Sequence, residues 1–210
     1  MRIFLLGANG ILGTAIQSVV AQSKYEILPV TGSQMRQAGV MNNPYVFLES
    51  LELNPQDVVI NASGITKHSP GVEVPAPHMF LINSTFPHLL GKLAEAIGCR
   101  VVQPGTDCVF AGHKGLKSEK SFHDATDLYG VSKSLGEVAS RAVTIVRSSF
   151  VGFTPFATSG QLGDWLASHP PESNVQGYTN HLWSGVPVKV LAHVLAGVAV
   201  IPVILPVPFT

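Results

Sequence analysis

The chain has 210 residues, 46% hydrophobic and 12% charged, with thirteen basic and thirteen acidic side chains. That length suits one domain, or one domain with a small appended lobe, and the composition is globular and rather apolar. Balanced charge argues against nucleic acid or a membrane surface as partner, since each calls for a basic excess, and Cys99 and Cys108 alone make neither a disulfide framework nor a four-ligand zinc site.

Met1 to Leu6 carries one charge and too short an apolar run for an export signal, so a cytoplasmic location is expected. Ile3 to Leu6 reads as a strand running into Gly7-Ala8-Asn9-Gly10-Ile11-Leu12-Gly13, after which Leu12, Ala15, Ile16, Val19 and Val20 recur at helical spacing. Tyr25 to Val30 reads as a second strand stopped by Thr31-Gly32-Ser33. Residues 34–56 are weakly patterned, with Pro55 ending any helix over Val46 to Leu53. Asp57 to Asn61 is a buried-strand pattern closing on Ala62, Ser63 and Gly64, and the prolines of 66–77 mark a loop. Helical spacing runs from Met79 to Ile97, a strand from Arg100 to Gln103, a helix from Leu128 to Ala142 and a strand from Thr144 to Arg147. Strands alternating with helices, the strands solidly apolar, predict an α/β fold with a Rossmann-like doubly wound parallel sheet. Val194 to Thr210 has no charge, but Pro202, Pro206 and Pro208 would break a membrane helix, which leaves a buried strand or a loose tail.

Two constellations carry chemistry. Gly7, Gly10 and Gly13 fall between a strand and a helix, where glycines permit a tight turn and let backbone approach a pyrophosphate. The spacing differs from the usual GxGxxG, and a purely structural turn is the alternative. The second strand ends without an acid to hold free ribose hydroxyls, and Ser33 and Arg36 stand nearby. NADP is therefore expected to be accepted, with NAD as the alternative and Arg36 as a plain solvated charge if so. Tyr129 and Lys133 lie four residues apart, one turn of a helix. A neighbouring ammonium stabilises phenolate, so such a tyrosine can exchange a proton with a carbonyl or alcohol oxygen near neutral pH. Thr106 closes the preceding strand and could bond the same substrate oxygen.

The stretches Gly7 to Gly13, Asp57 to Gly64, Ile82-Asn83-Ser84-Thr85-Phe86-Pro87-His88, Thr106-Asp107-Cys108-Val109-Phe110-Ala111-Gly112 and Asp127 to Glu137 together resemble the extended short-chain dehydrogenase/reductases. Within them the chain is similar to the dTDP-4-dehydrorhamnose reductase-like proteins of surface-polysaccharide synthesis. Arg147-Ser148-Ser149 and Trp183-Ser184-Gly185 also fit, so the resemblance covers roughly residues 1–195. It implies an NAD(P)-dependent oxidoreductase reducing a keto group on a nucleotide-activated sugar. Tyr129 would be the proton donor, Lys133 would bind the nicotinamide ribose and lower the tyrosine pKa, and Thr106 would hold the substrate oxygen. Gly7, Asn9, Gly10, Ile11, Leu12 and Gly13 would line the dinucleotide with Ala62, Ser63 and Gly64, and Asn83 would support the site. It further implies a dinucleotide-binding domain over 1–150 and a partial substrate lobe over 151–210, and it leaves a homodimer open.

The sequence departs from that family where Gly105 replaces a serine before the threonine and where Cys108 stands at a position more often tyrosine. Asp107, Cys108, Trp165 and Trp183 are the candidate substrate contacts. Helix packing is the alternative for Trp165, and Asn180 and His181 share the Trp183 segment. The eight histidines (His68, His78, His88, His113, His123, His169, His181 and His193) show no metal-binding spacing, so no metal is expected. Lys114, Lys117 and Lys120 read as a solvated loop face. Two rival classes remain: an epimerase or dehydratase on the same scaffold, which would retain its nicotinamide and return the hydride, and a non-catalytic dinucleotide-binding protein.

Overall fold

The computed structural model describes residues 1–66, 74–112, 115–153, 162–180 and 183–201. Its frame is one parallel sheet of β1 (Arg2–Leu6), β2 (Glu26–Val30), β3 (Val58–Asn61), β4 (Arg100–Gly105) and β5 (Val143–Arg147), in the order β2-β1-β3-β4-β5. The expected α/β architecture is what forms. From β1 the chain first steps outward to β2 and then returns to place β3 on the other side of β1. That reversal opens a crevice at the carboxyl ends of the strands, where ligands of such sheets bind.

Alternation along the strands builds two cores. Ile3, Leu5, Val58, Ile60 and Val102 face α1 (Ile11–Val20) and α8 (Val188–Val200), burying Leu12, Ile16, Leu191 and Leu195. Phe4, Leu6, Val59 and Val101 face the other way, onto α2 (Gly32–Gln37), α3 (Pro44–Glu49) and α5 (Phe86–Ile97), where Phe47 and Phe86 pack with ring centroids 6.0 Å apart. Both faces of β1 and β3 are thus covered, which is why these strands read as unbroken apolar runs.

Four sequence expectations need correction. The weakly patterned span holds two short helices, α2 capped by a Thr31–Gln34 capping box and α3 started by Asn43 and Pro44. The helix expected over 79–97 is three pieces: α4 (Ala76–Phe80), a π-helical turn (Leu81–Thr85) and α5. The wider turn brings Asn83 and Ser84 inward, 2% and 8% exposed. The helix expected to reach Ala142 stops early, as α6 (Leu128–Leu135), with Gly136 as its cap. A Cβ on Gly136 would lie 1.8 Å from the Asn83 carbonyl oxygen, so the chain passes the π-turn only with a glycine there. Finally, Val194 to Val200 is neither strand nor tail but the last turns of α8, packed on α1 and the sheet. Residues 202–210 lie outside the described residues. Among those described, no helix is long and apolar enough to cross a membrane. Two short elements complete the fold, α7 (Leu162–Ala167) and a parallel pair, β6 (Phe150–Val151) with β7 (Val186–Pro187).

Candidate active site

The glycine turn joins β1 to α1. Gly7 has φ +76°, and a Cβ there would fall 2.7 Å from the Ala62 carbonyl oxygen, so the turn and the end of β3 touch backbone to backbone. Gly7 and Ala8 donate their N–H groups to the Val30 carbonyl (2.9 and 3.1 Å), and Asn9 Oδ1 accepts from the Gly32 N–H (3.2 Å). The ends of β1, β2 and β3 are thereby locked around one cleft of about 310 Å³. Gly7, Asn9 and Gly10 line it with Gly32, Arg36, Ala62, Ser63 and Gly64. Helix α1 opens on it with no side-chain cap and no acid in its first turn, which leaves amide donors and a positive helix end facing the cleft.

These features fit the pyrophosphate and adenosine ribose of a dinucleotide. Arg36 reaches Ser33 across 3.2 Å, so the two residues singled out for a 2′-phosphate stand together at the rim. Ile11 is half-buried at the start of α1, whereas Leu12 is 7% exposed with its side chain in the core, so only its backbone can face a ligand. Gly13 is likewise buried. Met35, Val40, Ile65, His78 and Ile82 also line the cleft and escaped sequence reasoning, because nothing in their spacing sets them apart from core or loop positions.

The second constellation assembles at the carboxyl end of β4. Thr106 follows the strand and caps a 3-10 turn (Asp107–Val109) by accepting from the Cys108 N–H (3.2 Å). Its hydroxyl lies 3.4 Å from Asp107 Oδ1, and Ser149 bonds the same oxygen, tying this turn to the segment after β5. Tyr129 sits in the first turn of α6, started by Asp127, with its phenol beside the Thr106 hydroxyl. Asn83 braces the helix. It bridges the Ile65 N–H and carbonyl (2.9 and 2.8 Å) and donates to Ser132 Oγ (3.0 Å), while Ser84 Oγ donates to the Ser132 carbonyl (2.7 Å). Thr106 and Tyr129 thus lie side by side, and Asn83 reaches the Tyr129 turn through Ser132, whose hydroxyl donates to the Tyr129 carbonyl (2.8 Å).

The electrostatics differ from expectation. Burial pushes the Tyr129 phenol up to about 12, with the electrostatic influence of Cys108, Asp107 and Asp127 adding to the rise and the neighbouring Thr106 hydroxyl opposing it. Lys133 is brought down to about 8 by burial, partly opposed by Glu137. Its ammonium donates to the Pro104 carbonyl (3.1 Å), a partner that YxxxK spacing does not announce. The phenol is thus fully protonated at neutral pH and carries its proton as a donor must, and Lys133 does not depress it here.

The two tryptophans part company. Val186 donates its N–H to the Ser149 carbonyl (3.0 Å), and a Cβ on Gly185 would press on both that oxygen and the Trp183 ring, so the Trp183 segment runs beside the residue that holds Asp107. Trp165, 45% exposed on α7, instead stacks edge-on with His169 (4.7 Å). No described contact ties it to Thr106, Tyr129 or Lys133. Cys108 is half-buried beside Tyr129, and Cys99 is buried in the core. Asn180 is exposed. His68, His113, Lys114 and His181 lie outside the described residues.

Comparison with known proteins places this geometry. A family model described as RmlD substrate binding domain matches residues 1–154. The chain is 28% identical over 156 residues to the spore coat polysaccharide biosynthesis protein SpsK of Bacillus subtilis, covering 71% of this chain and 53% of that protein. It is also 28% identical over 159 residues to a dTDP-4-dehydrorhamnose reductase of Mycobacterium tuberculosis, covering 71% and 50%. The chain thus spans about half the length of these relatives. Among solved structures, the dTDP-4-dehydrorhamnose reductase of Bacillus anthracis in complex with NADP superposes with a TM-score of 0.75 at 20% identity, over 94% of this chain and 70% of that one. That likeness establishes the shared fold.

Proposed function

Because the chain belongs to the RmlD substrate binding domain family, we propose that it reduces a keto group on a nucleotide-activated sugar at the expense of NADPH or NADH, in the synthesis of a surface polysaccharide or dTDP-sugar. The convergence of Thr106, Tyr129 and Lys133 beside the glycine-turn cleft carries this reading. The similarity to SpsK and to the mycobacterial dTDP-4-dehydrorhamnose reductase, and the NADP in the Bacillus anthracis structure, support it.

The bound dinucleotide would supply the hydride. The backbone of Gly7 to Gly10 and the open end of α1 would hold its pyrophosphate. Thr106 would fix the substrate oxygen within reach of the Tyr129 hydroxyl. Tyr129 then gives that oxygen its proton as the carbonyl carbon is reduced, and the Lys133 ammonium, seated on the Pro104 carbonyl, would hold the nicotinamide ribose. Asp107 and Cys108, at the mouth of the same turn, and the neighbouring Trp183 would contact the sugar. Trp165 would serve the nucleotide end. The division near residue 150 into a dinucleotide-binding part and a substrate-facing part belongs to this proposal, with α8 returning to the core of the first.

The purified chain should quench NADPH absorbance only when a keto-sugar nucleotide is present. Binding of NADPH without such oxidation would favour a non-catalytic role. Arg36→Ala should weaken NADPH about tenfold while leaving NADH nearly unchanged, since one charge-assisted contact to a phosphate is at stake. An equal effect on both would remove the 2′-phosphate assignment.

A further inference from the structure

Asn61 and Gln103 are carboxamides inside a parallel sheet, 1% and 4% exposed. Buried amides without partners are costly, so their bonding has to be accounted for. They pair with each other, Asn61 Nδ2 donating to Gln103 Oε1 (2.9 Å). The pair sits where the backbone ladder between β3 and β4 runs out. That ladder goes from Val58↔Arg100 to Ile60↔Val102 and stops, while β4 and β5 stay paired to Gly105↔Arg147.

Hydrogen bonds leave the pair in both directions. Asn61 Oδ1 accepts from the hydroxyl and the N–H of Ser63, in the segment that lines the dinucleotide cleft. With that oxygen committed, the Asn61 amide nitrogen must face Gln103. With Gln103 Oε1 committed in turn, its Nε2 faces the other way, 3.5 Å from the Pro104 carbonyl oxygen. That oxygen also receives the Lys133 ammonium at 3.1 Å. The polarity of the whole chain is fixed by its cofactor-side end.

We propose that Gln103, oriented by Asn61, is a positioning residue for Lys133: it fixes the Pro104 carbonyl on which the ammonium rests and ties that seat to Ser63 in the cofactor cleft. This rests on the reductase reading for what Lys133 does, though not for how Lys133 is held. The charged surroundings are otherwise set. Glu137, just past the end of α6, acts on Lys133 and is itself paired with Arg147 of β5 (2.6 Å), and Cys108, Asp107 and Asp127 act on the adjoining Tyr129. None of them touches the Gln103 side chain in a described hydrogen bond, so its removal leaves them in place.

The test is the titration of Lys133 itself, read without turnover. Acylation by an amine reagent is followed by mass spectrometry across pH, with exposed Lys92 as internal reference. Gln103→Leu keeps volume and burial but orients nothing. The ammonium then loses its fixed acceptor, and the Lys133 midpoint should fall by about half a pH unit or more. Ser63→Ala, at the half-buried end of the chain, should move it the same way by less, and this variant carries the test if Gln103→Leu does not fold. In turnover assays Gln103→Leu should lower kcat about tenfold with little change in sugar-nucleotide KM, as expected for an interaction used in the transition state. A midpoint unmoved in the folded variants overturns the proposal. A midpoint that moves in a protein that turns over no keto sugar upholds the positioning role and counts against the reductase reading instead.

Discussion

Val58, Val59, Ile60, Val101 and Val102 are each exposed by 2% or less, whereas Phe153, Trp165, Tyr178 and Trp183 leave 68%, 45%, 82% and 46% of their surface to solvent. The first group belongs to a sheet covered on both faces, and its strand ends carry Ser63, Thr106 and the Pro104 carbonyl. The second belongs to the stretch from β6 to β7, whose described large rings enter neither core cluster. A rigid frame holds the groups that must meet a cofactor to within fractions of an ångström. Exposed aromatics on a rim outside the two cores suit a ligand that supplies the missing contacts, as apolar pockets with a few polar anchors do. In the proposed function the first region sets the chemistry and the second sets the sugar.

Substitutions can separate the two regions. The largest effect is expected at the frame's chemical end: Tyr129→Phe should lower kcat about a thousandfold, the scale of a lost general acid, with NADPH affinity within about twofold by fluorescence titration. Substantial residual turnover would remove Tyr129 from its role. Gly7→Ala should cost about 2 kcal/mol in urea unfolding and weaken NADPH at least about tenfold, because it adds strain at φ +76° and a contact with the Ala62 carbonyl. A variant with native stability would show that the turn can relax.

The buried ammonium gives a pH signature. Lys133 has its folded value near 8 against an ordinary 10.5, so the unfolded chain binds more protons between those limits and stability rises with pH across them. Tyr129 works in the opposite sense at higher pH: its folded value near 12 lies above the ordinary 10.0, so its contribution is lost as pH rises through that window. Lys133→Met should therefore stabilise the dinucleotide-free protein by roughly 2 kcal/mol at pH 7 and flatten the rise between pH 8 and 10. An unchanged pH profile would mean that the ammonium is solvated. The smallest effects belong to the rim: Trp165→Ala and Trp183→Ala should each change stability by less than about 0.5 kcal/mol and raise sugar-nucleotide KM severalfold without touching NADPH binding. A loss of NADPH affinity in either would break the division of labour.

Much of the frame was legible because its signals are local. Strand runs such as Val58-Val59-Ile60 need no partner to be recognised, and a glycine turn between strand and helix predicts its own geometry. Thr106, Tyr129 and Asn83 stand out in the sequence as well, through motifs whose members sit at fixed spacings on rigid elements. What escaped depends on contacts between distant segments. The early end of α6 is set by the close approach of Gly136 to Asn83, and Val194 to Val200 are helical because α8 has α1 and the sheet to pack on. Leu12 was placed at the ligand by motif, yet its side chain belongs to the core. The Pro104 carbonyl under Lys133 is backbone and has no sequence signature. Asn61 and Gln103 had one, as lone amides in apolar strands, and that signal passed unread.

The central claim is tested most directly by titrating the purified chain with NADPH and NADH, adding keto-sugar nucleotides and following the nicotinamide absorbance band. Tight binding of NADPH followed by oxidation that depends on a keto-sugar nucleotide is the predicted result. Failure to bind either dinucleotide would contradict the account at its root.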